Sequence, residues 1–131
     1  MMVDIESRVV SRLKNKLPSS LKTKYPNIRF TTSDRAPSEP KFPTVYVHLM
    51  SSPQLAKTLS GKSLGAIRAS FQIEVTSPDS QDVTAEISNY VVDTMVSMNF
   101  EVVMIPENQN TTALFRSVSR YRRAIGSYDV L

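Results

Sequence analysis

The residues most able to do chemistry in this chain are four arginines in one eight-residue stretch, RSVSRYRR, from Arg116 to Arg123. Guanidinium groups fork onto phosphates and carboxylates alike. The cluster can therefore grip nucleic acid, decorate a solvated face, or hold one subunit against another. The other reactive side chains do not converge. His48 is the only histidine, and it sits within TVYVHL without an identifiable partner or cleft for general-base work. There is no cysteine, which excludes disulfides, thiolate metal ligands and a cysteine nucleophile. No HxxxH or paired carboxylate–histidine spacing suggests a metal site. Asp4, Glu6, Asp79 and Asp82 fall at helix starts, where the helix dipole accounts for them. GxxxxGK[ST], GxGxxG and GxSxG are all missing. The expectation is no catalytic residue, no metal and no cofactor, in a chain that is not an enzyme.

These residues sit in a chain of 131 residues, the size of a single domain spanning 1–131. Apolar residues make up 40% and charged residues 21%, which suits an ordinary globular chain rather than a disordered one. The net charge of +4 permits contact with nucleic acid without demanding it. Phe71 and Phe100 lie on apolar strand faces, and the glycine–aromatic signature of an RNA-recognition sheet is missing. No apolar run approaches the roughly 20 residues of a membrane span. The opening MMVDIESRVVSRLKNK lacks a signal peptide's apolar block. No membrane partner is expected, and the chain is expected to stay in the cytoplasm where it is made.

Periodicity places the elements. Ile5, Val9, Leu13 and Leu17 recur every four residues, predicting an amphipathic helix over 3–17 that Pro18 ends. NIRFTT (27–32) and TVYVHL (44–49) read as strands, separated by the proline-rich loop 33–43. From Ala66 to Thr76 the alternation is strict, so one strand face is buried and the other polar. Ser77 before Pro78 fits a helix N-cap, with Asp79 or Ser80 as alternatives. The helix then carries the stripe Val83, Ile87, Tyr90, Val91, Thr94, Met95 and Met98. FEVVMI (100–105) reads as a strand stopped by Pro106. Between the second and third strands, residues 51–65 show no period, which predicts a long flexible loop. That loop carries Leu55, Leu59, Lys57 and Lys62, and its leucines suggest an arm that orders against another surface. Segregated helices and strands predict an α+β fold, a mostly antiparallel sheet with two main helices packed on one face. Over RSVSRYRR, periodicity alone slightly prefers helix to strand.

The order of these features, with FPTVYVHL, ASFQIEVTSPDS, TAEISNYVVDTMVSMNFEVV and the closing RYRRAIG, resembles the tail terminator, or tail completion, proteins of bacteriophages with long non-contractile tails. The likeness covers nearly the whole chain, and phage head–tail joining proteins are similar in build. The resemblance implies an α+β fold and a hexameric ring of identical copies at the head-proximal end of the tail tube. Such a ring ends polymerisation of the major tail tube protein and offers a surface to the head connector proteins, with DNA passing through its channel. It implies a virion protein assembled in the host cytoplasm. The alternatives are a head–tail joining protein or a small basic nucleic-acid-binding domain.

The resemblance also favours strand for the final segment, which would complete the sheet. Tyr121 and Ile125 then face the core, and Arg116, Arg120 and Arg122 form a row on the outer face. Arg116, Arg120, Arg122 and Arg123, with Leu55, Leu59, Lys57 and Lys62 of the loop, are the expected subunit or channel interface.

Overall fold

The computed structural model describes residues 5–32, 43–51, 54–57, 63–112 and 114–125. Helix α1 runs Ile5–Asn15, and Val9, Leu13 and, just past its end, Leu17 are the apolar repeats it buries. Pro18 does more than end this helix. It serves as the N-cap residue of a second short helix, α2 (Ser19–Lys24), that the sequence reading lacks. Six residues are too few to display a period. Lys24 of α2 bonds Glu86 at 2.9 Å, tying it to the long helix below.

Five strands follow one another across the sheet, and a sixth joins off this path. In chain order they are β1 (Arg29–Thr31), β2 (Thr44–Ser51), β3 (Gln54–Lys57), β4 (Ser63–Ser77), β5 (Glu101–Asn108) and β6 (Phe115–Ile125). The spatial order is β1-β2-β4-β6-β5, with β3 paired to the far end of β4. Every pairing is antiparallel except β1 with β2. The fold is α+β. The final segment is a strand, and it lies between β4 and β5, in register Phe71↔Tyr121 and Ile73↔Ser119.

Alternation then sorts the side chains. Ala69, Phe71, Ile73 and Val75 of β4, Val45 and Val47 of β2, and Tyr121 of β6 face one side and are fully buried. Helix α3 (Gln81–Ser97) covers them with Ile87, Val91 and Met95, and α1 lies beside it with Val9 and Leu13. The hydroxyl of Tyr90 donates to the Leu13 carbonyl and joins the two helices. Both main helices therefore pack on one sheet face.

The N-cap of α3 is Ser80, whose side chain accepts from the Val83 amide. Ser77 cannot serve: it ends β4, and its hydroxyl accepts from the Asp79 amide two residues on. At the other end, Asn99 takes φ 65°, the left-handed conformation that lets Phe100 N–H reach Met95 O and Asn99 N–H reach Val96 O. This paired closure satisfies the last carbonyls of the helix and turns the chain straight into β5.

Two expectations change. Pro106 does not stop β5, which runs on to Asn108. Because β5 is the outermost strand, a residue without an N–H can sit where the ladder is already irregular, between Met104 and Glu107. The described residues of the predicted loop over 51–65 are strand: β2 extends to Ser51, β3 spans 54–57, and β4 begins at 63. Pairing from Gln54↔Ile67 to Lys57↔Ser63 makes a hairpin whose β3 packs extensively on β4 alone. The predicted proline-rich loop 33–43 lies, up to residue 42, outside the described residues.

Tyr121 gives the core a pH limit. Its buried hydroxyl donates to Ser119 Oγ at 2.9 Å, and burial pushes the phenol up to about 12. The unfolded chain, with an ordinary phenol near 10, loses that proton first. This contribution to stability is therefore complete below about pH 10 and is lost as pH rises toward 12. In an alkaline titration followed by tyrosinate absorbance and far-UV circular dichroism, one tyrosine should ionise only as the fold is lost. Ionisation of every tyrosine near pH 10 with the fold intact would contradict this.

Candidate assembly surface

The sheet face away from the helices carries the even-numbered side chains of β2, β4 and β6. Among the described residues no helix or strand packs on it. On it lie Tyr46 and His48 of β2, Arg68, Gln72 and Glu74 of β4, and Arg116, Arg120 and Arg122 of β6. The predicted arginine row is present on this outer face.

Its members differ in what they already hold. Arg116 is ion-paired with Glu74, and its backbone N–H donates to Asn110 Oδ1 at 3.1 Å. Arg122 forks onto Glu101, Nε to Oε2 at 2.9 Å and Nη2 to Oε1 at 3.2 Å. The hydrogen bonds from Arg122, then its charge and that of Arg68, hold the Glu101 carboxyl below its usual range and raise the Arg122 guanidinium in return. Arg120 has a neutral partner, Nε to Gln72 Oε1 at 3.1 Å. Two of the three arginines expected to seek a neighbour's carboxylates thus have carboxylates of their own. The register that brings these carboxylates opposite is invisible in a linear reading.

Arg123 stands apart. It points to the helix face, and its Nη1 donates to the Met98 carbonyl at 2.9 Å. There it neutralises the negative end of α3, which is a structural role. Leu55 and Lys57 fall on β3, so the hairpin carries them. Leu59 and Lys62 lie outside the described residues. His48 is exposed and stacked on Tyr46, with ring centroids 5.8 Å apart. Among the described residues no group of three or more His, Asp or Glu side chains is placed to hold a metal ion. Among the described residues no helix is long and apolar enough to cross a membrane.

The residues that sequence reasoning missed lie on β5. Val103 is 53% exposed and Ile105 74% exposed, on the outermost strand of the sheet. Among the described residues no strand pairs with the far side of β5. Its N–H and C=O groups on that side are an open template for another strand. Across the outer face, Met50 of β2 is also exposed, and between it and Val103 runs a groove of about 240 Å³ floored by Ser70 and edged by Arg120 and Arg122. The available signal was the continuous run VVMI: in an antiparallel strand it makes both faces apolar, and only one can be covered by helices.

Fold and surface together define a class: an α+β domain whose helices cover one sheet face and in which, among the described residues, no helix or strand covers the other face or the apolar edge β5. Compared with known proteins, the chain matches no family model and no curated sequence.

Proposed function

We propose that this protein is a structural assembly subunit, a ring-forming tail terminator that caps the head-proximal end of a bacteriophage tail tube. The observation that carries the reading is the open edge β5, with Val103 and Ile105 exposed along it. A long edge strand with apolar side chains is an aggregation hazard unless another chain covers it. Identical copies joined head-to-tail around a closed rotation cover every such edge. Strand β3 of the β3–β4 hairpin, which packs extensively on β4 alone, suits an arm that reaches a neighbour or the tube protein. The tail-terminator role itself rests on the resemblance of FPTVYV, FQIEVTSPDS and RYRRAIG in their order along the chain. The partners that follow are other copies of the chain, the major tail tube protein and the head connector, in a virion through which DNA passes.

Electron microscopy of phage particles assembled without this protein tests the role. Over-long tails and tails unattached to filled heads are expected. Normal tails joined to filled heads would refute it.

A further inference from the structure

We infer that the cleft at the arginine-rich end of the sheet is a phosphate-binding site. The cleft, about 580 Å³, is lined by Arg68, Arg122, Arg123, Asn99, Glu101 and Ala124. Three guanidiniums and one carboxylate give its lining a charge of +2. Ligand sites fall in this size range. The arginines arrive from different directions. Arg68 and Arg122 stand on the outer face of β4 and β6, and Arg123 comes round from the helix face at the end of α3.

The partner of Arg122 pre-organises it without using it up. Arg122 is fixed side-on by Glu101 through Nε and one Nη2 hydrogen, which leaves three of its five N–H bonds outside that pair. Arg123 is anchored on the Met98 carbonyl. Arg68 is exposed, and among the described residues its guanidinium has no hydrogen-bond partner. It feels the Glu101 charge without pairing with it. An exposed arginine facing an anchored pair is a half-built oxyanion clamp. A phosphate suits it better than a carboxylate because its oxygens accept from several guanidiniums at once, and the one carboxylate present is already engaged. Asn99 adds a neutral amide at the rim. The site does not depend on the ring, since every lining residue belongs to one chain.

The test uses the full chain, isotopically labelled, titrated by NMR with inorganic phosphate and separately with a short DNA oligonucleotide. Both probes are expected to shift the Arg68 and Arg122 Nε–H resonances. Arg68→Ala removes no hydrogen bond of the described fold, so its expected effect is on the ligand: about tenfold weaker binding. Glu101→Gln keeps an oxygen that can accept from Arg122 and removes the competing negative charge, so it should strengthen binding several-fold, which a purely structural Glu101 would not do. Oligonucleotide binding far tighter than phosphate, and falling steeply with salt, assigns the site to a nucleic-acid backbone. Equal affinity for the two assigns it to free phosphate. No shift with either probe, or an Arg68→Ala protein that binds as well as wild type, would overturn the inference.

Discussion

The double substitution Val103→Lys, Ile105→Lys is expected to abolish self-assembly and leave the monomer folded. Both side chains are exposed on the outermost strand, so neither supports the core. Surface changes of this kind move stability by only about 0.5 kcal/mol. At an interface the same change is severe. Each apolar side chain covered there contributes about 1.5–3 kcal/mol, and an unpaired ammonium buried in its place costs more. Together they should weaken association by about a thousandfold or more. Lysine is also the residue that natural edge strands use to refuse pairing. Glu101 and Glu107 on the same strand make it benign to the monomer. Sedimentation velocity reads the assembly and thermal unfolding reads the fold. Unchanged self-association would remove β5 from the proposed interface.

Phe71→Ala should have the largest effect on stability. Phe71 is fully buried on the central strand β4. It meets Phe100 edge-on at a centroid distance of 5.7 Å and lies opposite Tyr121 in the ladder. It thus joins β4, β6 and the segment entering β5. Removing such a ring costs about 3–5 kcal/mol through lost burial and an incompletely collapsed cavity. A domain of this size holds roughly 7–20 kcal/mol in total, so the variant loses a large share. Urea unfolding should show a much lower midpoint with an unchanged slope. A midpoint within error of wild type would mean that the core is organised otherwise.

What could be read in advance follows from what is local. The alternation over 66–76 shows β4 because one face of that strand meets helices and the other meets water. The repeat of Val9, Leu13 and Leu17 shows α1 for the same reason. Segment 115–125 is ambiguous because Phe115, Val118, Tyr121 and Ile125 suit a helical stripe as well as a strand. The structure makes it a strand by flanking it with β4 and β5, and Tyr121 is buried as the strand reading requires. The stretch 51–65 shows no period, and its β3 packs extensively on β4 alone, without a helix contact to set one face apart. The arginine row could be placed on the outer face, but its intrachain partners Glu74 and Glu101 become neighbours only through sheet register. Val103 and Ile105 were hidden for a related reason. An apolar run identifies a strand without saying whether the strand is covered or lies at an edge.

Amide hydrogen exchange over β5, compared between the free chain and the chain assembled at tube ends, tests the edge-pairing account most directly. In the free chain the amides of 101–108 that face away from β6 should exchange rapidly. On assembly, the account predicts strong protection of those same amides, as a neighbour takes up their hydrogen bonds. Assembly that protects other segments and leaves β5 exchanging as before would contradict it.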